Sequence, residues 1–456
     1  MKFNFTPPIA ILGFGDEGQS ALEFSQKQGF SDITICDQKE DLEVPDGVKT
    51  KLGKMAFEDL SEFKTIIRSP GVHYKLPGIL EASEAGCHVT SMTEMTLEIG
   101  RERLTAITGS NGKTTTTGML DAILTKHYEG KIIVGGNDRL PVLQRAIENP
   151  EQPILMEVSS FQFADLKQSP HIAGVLNISP NHLDWHENLE DYINAKGNLI
   201  AHQKESDWAI LNANDENSSR LAQHAKGQIF WVGKKEGEHW AVWEGENLMA
   251  TPLEGEMPSS RRNNGNLIEI LKKTNLKVKT HPDNVAFAVA ASLIHQMDPS
   301  IIKEVLSTFP GMPQRLEFVR EIQGIRFYND SSCTTPESTA VALGQFPHGK
   351  LILLLGGSTK HSDFNFMAKH IAETETRVYL FGAEGPRIKT ALEEAGGTHL
   401  ILNLDETGEF TNIIQKTYTL AQPEDNIVLS PACASFDMFK NSKERGKFFN
   451  EIVKSL

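Results

Sequence analysis

One loop of the sequence combines the residue types that bind nucleotide phosphates. The stretch reads LTAITGSNGKTTTTGML, which predicts a buried strand, a glycine turn and the start of a helix. Backbone N–H groups of such a turn can cradle phosphates, while a lysine neutralises their charge and a hydroxyl faces Mg²⁺. Full Walker spacing needs a glycine where this chain has Ile107, so the loop is the shorter G-x-x-G-K-T form. The predicted ATP-binding residues of the loop are Gly109, Ser110, Asn111, Gly112, Lys113, Thr114 and Thr115.

A second glycine turn lies near the N-terminus, in AILGFGDEGQSAL. Gly13, Gly15 and Gly18 have the G-x-G-x-x-G spacing that lets a backbone approach a phosphate at a helix N-terminus. Asp37 lies about 20 residues further on, which also suits an acid that binds the ribose of NAD. The spacing alone does not decide whether the ligand is a redox dinucleotide or another phosphate-bearing molecule. A redox enzyme would need only this turn and a kinase only the other loop, whereas a ligase that activates a nucleotide-carried acid with ATP would need both.

Strands and helices that alternate along nearly the whole chain must position these turns. The alternation falls into three blocks, which predicts an α/β protein of three domains with mainly parallel sheets. We expect a Rossmann-like domain at 1–92, a central P-loop-type ATPase domain at 93–310 and a second Rossmann-like domain at 311–456. A polar stretch rich in glycine and proline, at 233–260, is typical of a hairpin insertion or surface loops.

The composition of the chain restricts its partners. The 456 residues carry a formal net charge of −15, which argues against a nucleic acid held through its phosphates. No apolar run reaches the roughly 18 residues of a membrane span. The scattered cysteines suit a reducing cytoplasm, and neither a disulfide framework nor a zinc site; they are Cys36, Cys87, Cys333 and Cys433. We therefore expect a cytoplasmic protein with small-molecule substrates.

Further stretches form an ordered series of motifs. They are ITGSNGKTTTT, MEVSSFQ, NISPNHLDWH, DYINAKGNLI, GMPQRLE, FYNDS, LLLGG and LSPACASFDMFKNSKERG. This series resembles the successive motifs of the Mur ligase family, best in its MurD type. The resemblance implies an ATP-dependent ligase of peptidoglycan precursor synthesis, which adds glutamate to UDP-N-acetylmuramoyl-L-alanine through an acyl phosphate and releases ADP and phosphate. It also implies a monomer.

The resemblance assigns the chemistry to four residues, Lys113, Glu157, His182 and Lys196. Two polyanions must approach each other in such a reaction, so cations are needed to neutralise them. Two Mg²⁺ sites are implied, with ligands from Thr114, Glu157, His182 and Lys196. Lys196 would carry a CO₂-derived carbamate, which turns a cation into a carboxylate-like ligand. His186 has no counterpart in this set and is expected at the surface.

Other ATP contacts are implied at Asn284, Arg315 and Asp330. Arg315 would neutralise phosphate, and Asp330 would hold the ribose. Around Asn284 the chain departs from the family, because Asp283 and Phe287 replace the usual histidine and second asparagine. Phe287 is therefore a candidate to stack on the adenine.

The resemblance also implies two substrate pockets. The UDP-sugar contacts would be Gly13, Phe14, Gly15, Asp37, Ser69, Pro70, Gly71, Asn137, Ser159 and His182. The glutamate contacts would be Thr334, Lys360, Ser435 and Phe436.

Two departures from the family lie in the predicted glutamate pocket. Ser332 stands where D-glutamate enzymes usually have a lysine, and Ser442 stands where an aromatic residue is frequent. The TTPES pattern is similar to a divergent branch, some members of which join L-glutamate, so D-glutamate is favoured but L-glutamate stays open. Two further alternatives are a folylpolyglutamate-synthetase-like ligase, which shares the short phosphate loop, and a non-catalytic nucleotide-binding homologue.

Overall fold

The computed structural model describes residues 3, 5–136, 142–183, 185–253, 267–359 and 362–456 of the chain. Contacts between residues divide it into two compact units, Met1–Lys273 with Asp283–Val305, and Thr274–Pro282 with Leu306–Leu456. The first unit contains both glycine turns, and the second contains the predicted glutamate pocket. The predicted domain boundary at residue 92 falls inside the first unit, and both boundaries stay predictions.

The strands are short, and most of them are buried. They are β1 Ile9–Leu12, β2 Ile33–Asp37, β3 Lys49–Leu52, β4 Thr65–Arg68, β5 His88–Thr90, β6 Leu104–Thr108, β7 Ile133–Gly135, β8 Ile154–Glu157, β9 Ile172–Val175, β10 Trp208–Asn212, β11 Gln228–Val232, β12 His239–Glu244, β13 Asn247–Ala250, β14 Ile268–Lys272, β15 Glu317–Ile322, β16 Ile325–Asn329, β17 Leu351–Gly356, β18 Arg377–Phe381, β19 Ile401–Asp405 and β20 Asn426–Leu429.

Helices follow most of these strands, as in other α/β folds. They are α1 Asp16–Lys27, α2 Pro77–Glu84, α3 Met92–Gly100, α4 Lys113–His127, α5 Leu143–Glu148, α6 Ser160–Phe163, α7 Leu189–Ala201, α8 Glu216–Arg220, α9 Pro282–Ile294, α10 Pro299–Thr308, α11 Pro336–Leu343, α12 Asn365–Glu373, α13 Gly385–Glu394, α14 Phe410–Leu420 and α15 Ser442–Ser455. Within the described ranges, none of the helices has the length and apolar character that crossing a membrane requires.

The first sheet of unit 1 is parallel throughout and has the strand order β3-β2-β1-β4-β5. Successive residues of its central strand point to opposite faces. Ile9 and Ile11 enter one apolar cluster, whereas Ala10 and Leu12 enter another. A sheet buried on both faces reads as a continuous apolar run, which is why IAIL predicts a strand correctly. The Rossmann-like expectation for this region is confirmed.

The central sheet has nine strands among the described residues, in the order β14-β13-β12-β11-β10-β9-β6-β8-β7. The pairs from β7 to β12 are parallel, and β12, β13 and β14 pair antiparallel. The expectation of a hairpin in 233–260 is thus confirmed by β12 and β13. Because β6 lies between β8 and β9, the carboxyl ends of these strands are neighbours at one edge of the sheet. The phosphate loop, Glu157 and the segment that follows β9 all start there.

Unit 2 contains a six-stranded sheet in the order β15-β16-β20-β17-β18-β19. Only the β15–β16 pair is antiparallel, and the other pairs are parallel. The buried runs LILLLG and NIVL form the middle of this sheet, with apolar clusters on both faces. A second Rossmann-like region is therefore confirmed, with an antiparallel edge strand.

Candidate active site

The phosphate loop connects β6 to α4, as the sequence predicts. Gly109 and Gly112 have φ angles of +157° and +87°, which favour glycine. Asn177, which follows β9, holds the loop from the side. Its carbonyl oxygen accepts the N–H of Ser110 at 2.7 Å, and its Oδ1 accepts the N–H of Asn111 at 3.0 Å. Sequence reasoning missed Asn177, although its place at the end of a strand next to β6 offered a signal.

Asn284 lies against the end of the loop, at the start of α9. A Cβ atom added to Gly112 would be 2.2 Å from Oδ1 of Asn284, so a side chain at this position would require the Asn284 side chain to move. The expectation that Phe287 stacks on adenine is wrong. Phe287 is fully buried, and every residue of α9 from Asn284 onward is buried, so the helix has no face on which to present an aromatic ring to a ligand.

Three predicted site residues lie beside the phosphate loop: Lys113, Thr114 and Glu157. Nζ of Lys113 donates to the carbonyl oxygens of Gly109 and Ser110, at 2.8 and 3.1 Å. Oγ1 of Thr114 donates to Oε1 of Glu157 at 3.1 Å. Glu157 is the last residue of β8 and is 1% exposed. The structure thus places a cation, a hydroxyl and a carboxylate around one phosphate cradle.

Lys196 approaches the same loop from α7. Its Nζ donates to Oγ1 of Thr108 at 3.2 Å and to the carbonyl oxygen of Gly109 at 3.1 Å. It also lies 4.7 Å from the ring centroid of Tyr192. Burial, aided by the nearby charge of Lys113, holds the pKa of the Lys196 amine well below its usual range. A buried lysine whose hydrogen bonds go to a hydroxyl and a carbonyl is unusual, since buried charges are normally paired.

Tyr192 is a further residue of this region that sequence reasoning missed. Its hydroxyl lies 3.0 Å from Oγ of Ser110, which also donates to the carbonyl oxygen of Ser179. Tyr192 therefore links α7 to the phosphate loop. Tyr192 belongs to the motif DYINAKGNLI, but the motif alone does not show that its hydroxyl reaches the phosphate loop.

The two histidines of NHLDWH have opposite environments. His182 is exposed and has a φ of +55°, and its ring packs edge-on against Phe161, with 4.9 Å between ring centroids. The expectation that His186 lies at the surface is wrong, because His186 is 2% exposed. Its ring is held between Ser160 and Asp191, and burial lowers its pKa.

The N-terminal glycine turn lines a cavity of about 420 Å³. The cavity brings together the described residues predicted to bind the UDP-sugar, apart from His182: Gly13, Phe14, Gly15, Asp37, Ser69, Pro70, Gly71 and Ser159. Glu17, Phe161 and Gln162 also line it and were missed by sequence reasoning. Asn137 lies outside the described residues.

Close backbone packing shapes this cavity. A Cβ atom on Gly18 would be 2.1 Å from the carbonyl oxygen of Gly13, so α1 can approach the turn only with glycine at this position. Oγ of Ser69 donates to the same carbonyl oxygen at 2.7 Å. Oδ2 of Asp37 accepts the N–H of Phe14 at 2.8 Å, which fixes the end of β2 against the turn.

In unit 2, Arg315 is half-buried and Asp330 is 2% exposed. Oδ1 of Asp330 accepts the N–H of Leu316, and its Oδ2 accepts the hydroxyl of Ser430. Burial raises the pKa of Asp330 to about 6. Both carboxylate oxygens therefore already accept hydrogen bonds within the protein, one of them from the backbone next to Arg315, and a contact with ribose stays a prediction.

The predicted glutamate pocket is partly described. Thr334 is half-buried, Phe436 is exposed, and Oγ of buried Ser435 has no hydrogen-bond partner among the described residues. Lys360 lies outside the described residues. Of the two departures from the family, Ser332 lies in the turn before α11, and Ser442 is the first residue of α15.

Arg445 is a buried residue of this pocket region that sequence reasoning missed. Its guanidinium donates to Oγ and the carbonyl oxygen of Ser331 and to the carbonyl oxygens of Cys433 and Ala434. It therefore holds together the two segments that carry Thr334 and Ser435.

Comparisons with known proteins agree with this arrangement. Three segments match the Mur ligase MurD-like N-terminal domain at residues 8–91, the Mur ligase middle domain at 107–291 and the Mur ligase glutamate ligase domain at 314–433. This is the domain series of a Mur ligase. The chain is also 33% identical to the UDP-N-acetylmuramoylalanine–D-glutamate ligase of Acetivibrio thermocellus and 34% identical to that of Clostridium perfringens. Each alignment covers 98% of this chain and 96% of the relative. The chain belongs to the Mur ligase family, in its MurD type.

Solved structures share the fold at low sequence identity. MurF from Acinetobacter baumannii has a TM-score of 0.60 at 17% identity, and the alignment covers 98% of this chain and 90% of that one. The UDP-N-acetylmuramate–alanine ligase MurC from Thermotoga maritima has a TM-score of 0.58 at 18% identity, with coverage of 98% and 99%.

Proposed function

We propose that the protein joins D-glutamate to UDP-N-acetylmuramoyl-L-alanine with ATP, as a cytoplasmic monomer in peptidoglycan precursor synthesis. The observation that carries the proposal is the convergence of Lys113, Thr114, Glu157 and Lys196 on one phosphate loop. The names of the full-length relatives support D-glutamate over L-glutamate and over a folate substrate. The four cysteines, all buried free thiols, are compatible with a reducing compartment.

The residues present fit a Mg²⁺ ion at the phosphate loop. Thr114 and Glu157 offer a hydroxyl and a carboxylate whose oxygens lie 3.1 Å apart, and hard oxygen ligands are those that Mg²⁺ prefers. Bound there, Mg²⁺ would neutralise phosphate charge during transfer. His182 and Lys196 are the proposed ligands of a second ion.

Lys196 fits a carbamate because its amine is buried close to a second cation, Lys113. Both the burial and the like charge favour the neutral amine, which is the form that reacts with CO₂. The product is an anion, so the modification would replace electrostatic repulsion from Lys113 by attraction.

Different residues would bind ATP, the UDP-linked substrate and glutamate during the reaction. The loop N–H groups and Lys113 would hold the phosphates of ATP while an oxygen of the alanyl carboxylate attacks the γ-phosphorus and ADP leaves. The cavity at Gly13–Gly18 would hold the uridine diphosphate, so that the alanyl arm is bound in a fixed position. Ser435, whose buried hydroxyl has no hydrogen-bond partner among the described residues, and Thr334 would bind glutamate. Its amine would then displace phosphate from the acyl carbon, giving the amide.

Release of inorganic phosphate tests the proposal directly. The full chain is incubated with UDP-N-acetylmuramoyl-L-alanine, ATP and Mg²⁺, and with D-glutamate, L-glutamate or neither. We expect release with D-glutamate above the amino-acid-free background, with a product whose mass matches the amide. Release with L-glutamate alone would contradict the assigned stereochemistry, and release with neither would contradict the function.

A further inference from the structure

The cavity that would hold the uridine diphosphate has an unusual charge for a phosphate site. Among the described residues that line it, Asp16, Glu17 and Asp37 are acidic, and none is a lysine, an arginine or a histidine. Asp16 and Glu17 also occupy the first turn of α1, where a helix normally attracts an anionic ligand. A diphosphate entering this cavity therefore meets negative charge that the described lining does not balance.

Glu17 is the buried member of this acidic set. Its Oε1 accepts a hydrogen bond from Nε2 of Gln162 at 2.9 Å. Its Oε2 is buried and has no hydrogen-bond partner among the described residues. A buried carboxylate oxygen without a donor is costly when ionised and much less so when protonated. Burial accordingly raises the pKa of Glu17 to about 7.

The charged groups around Glu17 do not compensate it. Asp16 and Asp37 line the same cavity, and the positive charge of Arg68, at the end of β4, acts on Glu17. Arg68 is the cation of this group, but its Nη2 pairs with Oδ1 of Asp165 at 2.6 Å and its Nη1 donates to the carbonyl oxygen of Val72. Asp37 is already held by the N–H groups of Phe14 and Lys39.

We infer that binding of a diphosphate diester in this cavity is coupled to uptake of one proton by Glu17. The inference rests on the proposed function, because that function supplies the ligand. Neutral Glu17 keeps its contact with Gln162 and removes the carboxylate charge that an incoming phosphate would meet. Glu17 thereby makes the affinity for the UDP-linked substrate dependent on pH. The loop N–H groups alone would not have this effect.

The test measures the Kd of UDP-N-acetylmuramoyl-L-alanine by calorimetry across the titration of Glu17. Neither its diphosphate diester nor its alanyl carboxylate titrates near neutrality. We expect the Kd to rise by up to about tenfold per pH unit above about pH 7, because one proton accompanies each ligand. Heats measured in two buffers of different ionisation enthalpy should give the same uptake of about one proton.

Two variants identify the group that takes the proton. Glu17→Gln keeps the size of the side chain and should bind with a Kd that no longer changes with pH. Glu94→Gln is the matched control, since burial also raises the pKa of Glu94 but Glu94 does not line the cavity, and it should keep the wild-type slope. A slope that survives in Glu17→Gln, or a wild-type Kd that does not vary with pH, overturns the inference.

Thermal unfolding of the unliganded protein gives a second readout. The folded pKa of Glu17 is raised from 4.5 to about 7, so its stabilising contribution is complete below the lower value and is lost as the pH rises through the higher one. The Tm of Glu17→Gln minus that of wild type should therefore increase between about pH 4.5 and about pH 7 and stay level above that. An unchanged difference would show that Glu17 is ionised throughout and would contradict the inference.

These outcomes separate the inference from the proposed function. Phosphate release with D-glutamate combined with pH-independent binding would leave the function intact and remove the role of Glu17. Absence of binding at every pH, together with absence of phosphate release, would remove both.

Discussion

Nε2 of His186 lies 2.9 Å from the hydroxyl oxygen of Ser160. On its other side, Nδ1 of the same ring lies 2.9 Å from Oδ2 of Asp191. Ser160 is the first residue of α6, three positions after Glu157, and Asp191 is in the first turn of α7, the helix that carries Lys196. His186 therefore links the start of α7, the helix that carries Lys196, to the segment that directly follows Glu157.

Removal of the His186 side chain should destabilise the protein. His186→Ala removes the hydrogen-bond partner of the buried Ser160 hydroxyl and of the half-buried Asp191 carboxylate, so we expect a loss of about 2 kcal/mol in the free energy of unfolding, measured by urea denaturation. The neighbouring His182→Ala is the control, because His182 is exposed. That variant should keep its stability within about 0.5 kcal/mol and lose about 10- to 100-fold in kcat. Equal stability of both variants would contradict the structural role of His186.

Lys196→Ala should lose most activity, by about 100-fold or more in kcat, because a ligand to the second metal ion would be missing. Added bicarbonate should not restore the rate, since the carbamate has no amine on which to form. Lys204→Ala serves as the control, because Lys204 is exposed and pairs with Glu102. Turnover of Lys196→Ala near that of wild type would exclude the metal-ligand role.

Gly112→Ala should impair ATP binding through two separable effects. Its φ of +87° disfavours any side chain, and the new Cβ would lie 2.2 Å from Oδ1 of Asn284. Gly130→Ala measures the effect of a positive φ alone, because Gly130 has a φ of +80° but no atom lies within 4 Å of its added Cβ. We expect Gly130→Ala to cost about 1 kcal/mol in stability with normal ATP affinity, as measured by calorimetry. Equal ATP affinity in both variants would mean that Asn284 moves away without cost.

Much of the fold was predictable from local pattern. Runs such as IAIL and LILLLG are apolar because both faces of their sheets are covered, so they identify strands without tertiary information. Strand β3, Lys49–Leu52, has no such apolar signal, because it is a polar edge strand of sequence KTKL. Its conformation depends on pairing with β2, which no local pattern reports.

The candidate site also contains residues that the local sequence predicts and residues that only the fold brings together. The loop from Gly109 to Thr115 was predictable because its function depends on residues that are consecutive in sequence. Tyr192 and Ser110 are 82 positions apart, and their hydrogen bond exists only because α7 packs against β9, the strand next to β6. Phe287 shows the converse error: a departure from the family three positions after Asn284 suggested a ligand contact, but the helix is buried on every side from Asn284 onward.

Gly18→Ala should disrupt the N-terminal turn without any backbone strain. Its new Cβ would lie 2.1 Å from the carbonyl oxygen of Gly13, and a backbone atom cannot yield as a flexible side chain can. We expect a loss of about 1–3 kcal/mol in the free energy of unfolding and weaker binding of the UDP-linked substrate. Gly15→Ala is the matched control, because no protein atom lies within 4 Å of its added Cβ and its φ is −78°. If Gly15→Ala keeps its Tm but loses affinity for the UDP-linked substrate, its Cβ occupies space that the ligand needs. If instead both variants bind normally, the glycine turn does not hold the diphosphate.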